Sequence, residues 1–185
     1  MTKRKAEQNK GYSLVEMIIV IAIIVLVSSL SLVSVTLIHS ARAKDAAIKF
    51  DNEVATLIAK AKSQTPPATN PADPTTMGEY ALKVYKSGER YFVAQGILRA
   101  SGTFEVDPDN VVSLSSYVTI RYTGTNSEGE DFNNDEIEDG DRAVIIRYNK
   151  RGICLDGVGT YSFYKKNGNL VANDFLRKNG SHESK

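Results

Sequence analysis

One apolar run near the amino terminus constrains the fold of this chain more than any other stretch. From Met17 to Ile38 the sequence has no charge, no proline and no glycine. About 20 apolar residues cross a bilayer as a helix, because each adds about 1.5 Å. The charged residues ahead of Gly11 are all basic except Glu7, and positive charge beside a span favours the cytoplasmic side. The sequence therefore predicts a single-pass membrane protein with a cytoplasmic N-terminus and the remaining chain outside.

Glu16 interrupts this pattern near the start of the apolar run. An ionised carboxylate inside a membrane span costs about 2.5 to 3.5 kcal/mol at the centre and less near the interface. Such a group either serves a function or reaches back to the headgroup region along its own stem. The position of Glu16 alone leaves both interpretations open.

The residues around Glu16 resemble a known processing signal. Lys10 to Glu16 read Lys-Gly-Tyr-Ser-Leu-Val-Glu and lead into the apolar run, which resembles the prepilin signature of type IV pilins and of secretion and competence pseudopilins. The resemblance implies that prepilin peptidase cuts after Gly11 and methylates Tyr12. It also implies that Glu16 pairs with the terminal amine of a neighbouring subunit, and this pairing offsets the cost of desolvating the acid.

The resemblance implies the function of a structural subunit, major or minor, of a type IV pilus or pseudopilus. Its partners would be prepilin peptidase, other pilin subunits in a homo- or heteropolymeric filament, an inner-membrane assembly platform and the membrane. Such filaments support adhesion, motility, secretion or DNA uptake, and the processed subunit moves to the cell surface or an extracellular filament. The alternative function is a single-pass membrane-anchored extracellular binding domain that does not polymerise.

Two other N-terminal signals fit parts of the same stretch. A secretory signal peptide would use the small-x-small site Ala41-Arg42-Ala43, although its apolar core is normally only about 7 to 15 residues long. An uncleaved signal anchor fits the apolar run but gives no reason for Gly11 ahead of Tyr12 together with Glu16.

The helix is predicted to continue well beyond the apolar run. Neither proline nor glycine occurs between Gly11 and Pro66. Apolar residues of the later part recur at helical spacing on one face; they are Phe50, Val54, Leu57, Ile58 and Ala61. We expect one helix of about 50 residues, from Ser13 to Ser63, whose second half docks on a sheet.

Short β-strands are predicted after a proline-rich linker. Alternating, β-branched stretches separated by Gly- and Asn-containing turns cover 80–86, 89–95, 117–122, 143–148, 152–155, 160–165 and 169–172. The fold class is therefore α+β, the pilin ladle, with one long N-terminal helix packed on an antiparallel β-sheet head. Its segments are a leader (1–11), a transmembrane and assembly half of the helix (12–40), a soluble half (41–64), the linker (65–78) and the head (79–185).

The C-terminal strands add a second resemblance. Residues 144–152 and 157–163, followed by Asn167-Gly168, are similar to the last strands of minor pseudopilins of the GspH/FimT type. Cys154 is the only cysteine, so an intrachain disulfide is impossible. This favours a minor pilin, a pseudopilin or a Gram-positive pilin over the major pilins that close a C-terminal loop with a disulfide.

An acidic stretch of the head has oxygen donors at the spacing that begins an EF-hand loop. The candidate calcium ligands are Asp131, Asn133, Asp135 and Glu138. Two positions depart from that motif, because Glu136 stands where the loop needs glycine and Arg142 where it needs glutamate. The alternatives are a calcium site and a solvated acidic loop, and no other cofactor is expected.

Basic residues in predicted turns form a candidate contact surface for DNA or another subunit. They are Arg147, Lys150, Arg151, Lys165 and Lys166. Lys and Arg supply the phosphate contacts that dominate DNA binding, and complementary charges also join protein subunits. The charged residues from Glu105 to Asp141 are acidic except Arg121, which favours a subunit contact over DNA. Simple solvation of the turns is the remaining interpretation.

No catalytic site is predicted. His39 and His182 lie at the end of the apolar run and in the C-terminal tail, so neither is placed to activate a nucleophile within the head. We expect a protein that is not an enzyme.

Overall fold

The computed structural model describes residues 12–68, 70, 73, 77–166 and 168–185, with the side chains of residues 30–35 excluded. The chain forms two compact units, one ending at Ile38 and one running from His39 to Lys185. The predicted leader with Gly11, part of the predicted linker, and Asn167 of a predicted turn lie outside the described residues.

A single helix, α1, runs from Leu14 to Ser63 and contains 50 residues. The predicted long helix is confirmed, and its continuity follows from the absence of proline and glycine. In the second unit α1 buries one face; the buried residues are Ala43, Ala46, Ala47, Phe50, Val54, Leu57 and Ala61. They recur at three- and four-residue intervals, and Ile58 packs at the margin of this face. The predicted apolar stripe is confirmed and begins earlier, at Ala43.

Within the described residues, ten β-strands form two antiparallel sheets of five strands each. The strands are β1 Glu79–Ser87, β2 Arg90–Leu98, β3 Phe104–Ser115, β4 Val118–Thr125, β5 Asp131–Glu136, β6 Val144–Tyr148, β7 Cys154–Asp156, β8 Gly159–Lys165, β9 Leu170–Leu176 and β10 His182–Ser184. A short 3-10 helix, Gly140–Arg142, precedes β6. The first sheet has the order β3-β2-β1-β6-β7, and the second has the order β10-β9-β8-β4-β5. The α+β fold with an antiparallel β-sheet head is confirmed.

The core lies where the docked part of α1 meets the inner faces of both sheets. The ring of Phe50 packs against Tyr161 and Phe163, with centroids 4.7 and 5.6 Å apart, and Tyr161 packs against Tyr122 at 4.8 Å. The first sheet contributes Leu82, Val84, Val93, Ile146 and Tyr148. The largest fully buried side chains are aromatic, and each contributes a large apolar area to this core.

Strands β3, β5 and β10 were not predicted. β3 contains Pro108 between two aspartates, residue types that are rare in strands. It tolerates them because it is an edge strand with a bulge, where Ala94 pairs with Val111 but Gly96 pairs with Val106. The predicted acidic loop was wrong, since Asp131–Glu136 is β5 and pairs with β4. Asp131 is exposed, while Asp135 and Glu136 are half-buried and Glu136 accepts hydrogen bonds from Lys86 and Tyr91, so charge did not prevent strand pairing.

Candidate functional site

Two reciprocal hydrogen bonds between Ser13 and Glu16 cap the start of α1. Ser13 Oγ accepts from the backbone N–H of Glu16 at 3.2 Å, and Glu16 Oε2 accepts from the backbone N–H of Ser13 at 3.1 Å. Since Leu14 is the first helical residue, Ser13 is the N-cap and Glu16 occupies the third helical position. This is a capping box, which satisfies backbone donors that the first helical turn leaves without partners.

Tyr12 lies directly ahead of this capping box. It is not helical and is 81% exposed. Gly11, the residue predicted to precede the cut, lies outside the described residues. A cut between Gly11 and Tyr12 would create a charged amine on the residue next to Ser13. The capping box therefore holds the Glu16 carboxylate near the position where that amine would form.

The first half of α1 is apolar and uncovered in the single chain. Its large apolar residues from Leu14 to Val27 expose between 49 and 76% of their surface. The hydroxyls of Ser28 and Ser29 donate to the carbonyls of Ile24 and Leu26 at 2.7 and 2.8 Å, so these polar groups are satisfied within the helix. Exposed apolar surface on this scale marks contact with other proteins or with lipid.

The predicted membrane span is not confirmed. In the part of the chain that the structure describes, no helix presents an apolar stretch long enough to cross a bilayer. The side chains of residues 30–35, in the middle of the predicted span, lie outside that description.

The candidate calcium ligands lie on β5 and on the segment that follows it. Asp131 Oδ1 accepts from the Thr125 hydroxyl at 2.8 Å, and Asp135 Oδ2 accepts from the backbone N–H of Asn133 at 3.0 Å. Glu138 follows the end of β5 and is exposed. Among the described residues no group of three or more His, Cys, Asp or Glu side chains is placed to hold a metal ion. Calcium binding stays a prediction without an assembled ligand set.

Arg147 is half-buried, and its side chain is occupied by two acids of the neighbouring strands. Its guanidinium donates to Glu79 at 2.5 Å and to Asp156 at 2.7 Å. These residues lie on β1 and β7, the two neighbours of β6. The charge-assisted bonds therefore tie three strands together, and Arg147 has little freedom to bind a partner.

The other four predicted basic residues lie at opposite ends of β1. Lys150 and Arg151 are in the β6–β7 turn, where Lys150 Nζ donates to Thr65 Oγ1 at 3.1 Å. Lys165 is the last residue of β8 and Lys166 begins the β8–β9 turn, and Lys166 Nζ is 3.5 Å from Glu89 in the β1–β2 turn. The nine residues of β1 separate the two groups by about 30 Å at roughly 3.3 Å per residue. They do not form one basic surface.

Lys165 and Lys166 instead join residues that the sequence analysis did not single out. With Lys86 and Arg121 they line two adjoining clefts of about 150 and 170 Å³. Contacts of this kind were not predictable, because they depend on how two sheets lie together.

Glu136 lies at the centre of these clefts. Its Oε1 accepts from Lys86 Nζ at 2.6 Å and from the Tyr91 hydroxyl at 2.5 Å, which links β5 to β1 and β2. Burial raises the pKa of Glu136, but the hydrogen bonds from Lys86 and Tyr91 outweigh burial and hold that pKa below its usual range. The carboxylate is therefore ionised at neutral pH and fixed between the sheets.

Both histidines have structural partners. His39 stacks on Tyr117 with ring centroids 4.9 Å apart. His182 Nε2 is 3.1 Å from Asp51 Oδ1, which connects β10 to α1.

Asp174 is an acidic residue buried near Asp51, and it is only 1% exposed. Neither of its carboxylate oxygens has a hydrogen-bond partner within the described residues. Burial raises the pKa of Asp174 to about 7; the nearby Ser184 side chain opposes this shift, and the negative charge of Asp51 adds to it.

Comparison with known families identifies the amino-terminal segment. Residues 8–32 match the model of the prokaryotic N-terminal methylation motif, the prepilin signature of type IV pilins and pseudopilins. The matched segment includes Tyr12, the capping box and the first turns of α1, and the helix on two antiparallel sheets is consistent with the pilin fold. The motif implies processing by prepilin peptidase and assembly with other pilins. Comparison with curated proteins and with solved structures gives no match.

Proposed function

We propose that this chain is a structural subunit of a type IV pilus or pseudopilus, cut between Gly11 and Tyr12 and assembled through the first half of α1. One observation carries the proposal: the methylation motif at residues 8–32 continues without a break into a helix whose apolar side chains are uncovered. Such a helix can bury its surface in lipid before assembly and against other helices afterwards. The uncharged sequence from Met17 to Ile38 supports single-pass anchoring before transfer to a surface filament.

Glu16 has two roles in this proposal. In the precursor it caps α1 through Ser13. After the cut it offers a negative charge to an N-terminal amine, and in an apolar setting an opposite charge removes much of the cost of burying the acid. The second role belongs to assembly, because a neighbouring subunit can supply the amine.

The geometry gives a secretory signal peptide less support. The site Ala41-Arg42-Ala43 lies within α1, and Ala43 is fully buried in the second unit. A cut there would remove Ala43 from the buried face of the helix. We also propose a non-catalytic role, in which the ionisable groups of the head tie strands and sheets together.

Mass spectrometry of the mature chain, isolated from cells that contain their own prepilin peptidase, tests the proposal. We expect a chain beginning at methylated Tyr12. Gly11→Val should leave the precursor uncut because the small residue at the cleavage site is lost, whereas Asn9→Val in the same leader should be processed normally. An intact Met1 in the parent chain would favour an anchored binding domain, and a start at Lys44 would favour a secreted domain.

A further inference from the structure

The second sheet, its turns and the adjacent end of β1 in the first sheet carry opposite charges at two ends. The basic end comprises Lys86, Arg121, Lys165 and Lys166, which line the two clefts around Glu136. The acidic end comprises Glu128, Glu130, Asp131 and Asp141, all exposed. Strand β4 connects the two ends, because Val118 pairs with Lys165 at its start and Thr125 pairs with Asp131 at its end.

The distance between the ends prevents them from neutralising each other. The eight residues of β4 extend about 25 Å at roughly 3.3 Å per residue, and Arg121, four residues before Thr125, is still about 13 Å from that end. Charges in water at physiological salt are screened beyond about 8 Å. Each end therefore keeps its own field and attracts charge from outside the chain.

Contacts within the chain hold the side chains of the basic end in place. Glu136 is held by Lys86 and Tyr91, so it offsets one cation, and Glu89 lies 3.5 Å from Lys166. The Arg121 guanidinium lies 5.3 Å from the ring centre of Tyr164. That stacking orients the guanidinium, and these two acids leave an excess of positive charge in the clefts.

The acidic end is equally ordered. The side chain of Asn126 is buried, and its Oδ1 accepts from the backbone N–H groups of Glu128 and Glu130 at 3.0 and 2.8 Å. Its Nδ2 donates to the carbonyl of Asp141 at 3.4 Å. One buried amide thus holds the β4–β5 turn and the 3-10 helix together. Ordered acids lose little conformational entropy when they bind.

We propose that the basic end of one subunit docks on the acidic end of a second copy of this chain. Such a contact uses two different patches on every copy, so it can repeat from copy to copy, and in an open filament the repeat does not close into a ring. The inference rests on the proposed function and names the head contact that accompanies packing of the helices. A nucleic acid would be attracted by the basic end but repelled by the acidic end, whereas a second copy satisfies both.

Disulfide cross-linking of the full-length chain tests the contact. Lys166→Cys and Glu130→Cys introduce one thiol at each end, and Cys154 is buried and stays unreactive. Oxidation should give a ladder of oligomers when one chain carries both substitutions, and only dimers when the two single variants are mixed. Efficient dimers of Lys166→Cys alone would show a symmetric contact and overturn the proposal, as would the absence of any product.

Charge reversal supplies a second readout that does not depend on new thiol geometry. Lys166→Glu should lower association of the heads about tenfold, and Glu130→Lys in the partner should restore most of that loss. Lys178→Glu, an exposed reversal in the β9–β10 turn, is the matched control and should have no effect. If Lys166→Glu abolishes retention of duplex DNA but leaves association unchanged, a nucleic acid rather than a second copy occupies the basic end.

The two proposals fail in different ways. Filaments that form without a cross-linked ladder would overturn the head contact and leave the subunit function intact. A ladder, together with an intact Met1 in cells that contain prepilin peptidase, would support the head contact and remove the pilus or pseudopilus function.

Discussion

The two halves of α1 share one backbone conformation and differ in what covers them. In the first unit the described residues from Met17 to Val27 are apolar at every position, so they cover all sides of the helix, and their large side chains are exposed. In the second unit most large apolar residues form one stripe, which is buried, while Lys44 and Asp45 face water together with one apolar residue, Ile48. One docking surface can cover a single apolar stripe, whereas a helix that is apolar on all sides needs partners all around it to remove its surface from water. The second half therefore needs only its own head, and the first half needs partners from outside the chain.

Polar groups reinforce the docking of the second half. Gln95 on β2 is 4% exposed and bridges two helix residues, because it donates to Glu53 and accepts from Lys60, both at 2.5 Å. His182 adds an ion-pair contact to Asp51 when it is protonated. These bonds fix the register of the helix on the first sheet and on β10, which apolar packing alone does not specify.

The largest expected effect is the loss of apolar contact in the docked half. Phe50→Ala removes a fully buried ring between Tyr161 and Phe163, and large-to-small changes of this kind cost about 3 to 5 kcal/mol. Ile48→Ala is the matched control, because Ile48 is 59% exposed on the same helix and should change stability by less than about 0.5 kcal/mol. Urea unfolding of the full chain in detergent, followed by tyrosine circular dichroism, measures both. Equal effects would contradict the assignment of the buried face.

The next effect depends on pH. An unfolded Asp ionises near pH 3.9, whereas burial raises the pKa of Asp174 to about 7. Between these values only the unfolded state releases the proton, so the stability of the head should fall as pH rises from about 4 to 7, by at most about 4 kcal/mol. The pKa of Glu136 is held below its usual range, so its contribution to stability is lost only when the pH falls into the acidic range below the pKa of an unfolded Glu.

Two variants isolate the contribution of Asp174. Asp174→Asn should flatten the fall in unfolding free energy between pH 4 and 7 and stabilise the head at pH 8. Asp131→Asn, at an exposed position, should keep the parent slope. A slope that survives in Asp174→Asn would assign the pH dependence to another group.

Local and periodic features were predictable from the sequence. The length of α1 follows from the absence of helix breakers, and the buried stripe follows from the spacing of Phe50, Val54 and Leu57. The processing signal is a contiguous motif that needs no tertiary information. The capping box was also readable as Ser-x-x-Glu at Ser13 and Glu16, but the prediction considered only the charge of Glu16.

Features that depend on pairing between distant segments were not predictable. β5 is acidic and β3 contains Pro108, so both lack strand propensity and form because neighbouring strands offer backbone partners. The basic end depends on the β8–β9 turn lying beside the β1–β2 turn. Arg147 was predicted to contact a partner, and only the pairing of β1, β6 and β7 shows that its guanidinium binds acids on both neighbouring strands.

A smaller effect is expected at the polar bridge between α1 and β2. Gln95→Ala leaves Glu53 and Lys60 without their shared partner in a partly buried site, and unsatisfied polar groups cost about 1 to 3 kcal/mol. Gln64→Ala removes an exposed glutamine just after the end of α1 and serves as the control. Urea unfolding midpoints give the comparison, and a midpoint for Gln95→Ala that matches Gln64→Ala would show that the bridge contributes no stability.

The smallest effect on stability is expected at the N-cap of α1. Variants at this cap also separate the two roles of Glu16, helix capping and charge pairing in assembly. Ser13→Ala removes the N-cap and should destabilise the first turn by about 1 kcal/mol, seen as faster hydrogen exchange there, while urea unfolding of the head is unchanged. Ser28→Ala is the control, because it removes from the same half of α1 a hydroxyl that takes no part in capping the helix. Glu16→Gln keeps a capping-box side chain but loses the charge. If assembly into filaments survives Ser13→Ala and is lost in Glu16→Gln, the charge of Glu16 serves the amine; the reverse result would assign Glu16 to helix capping alone.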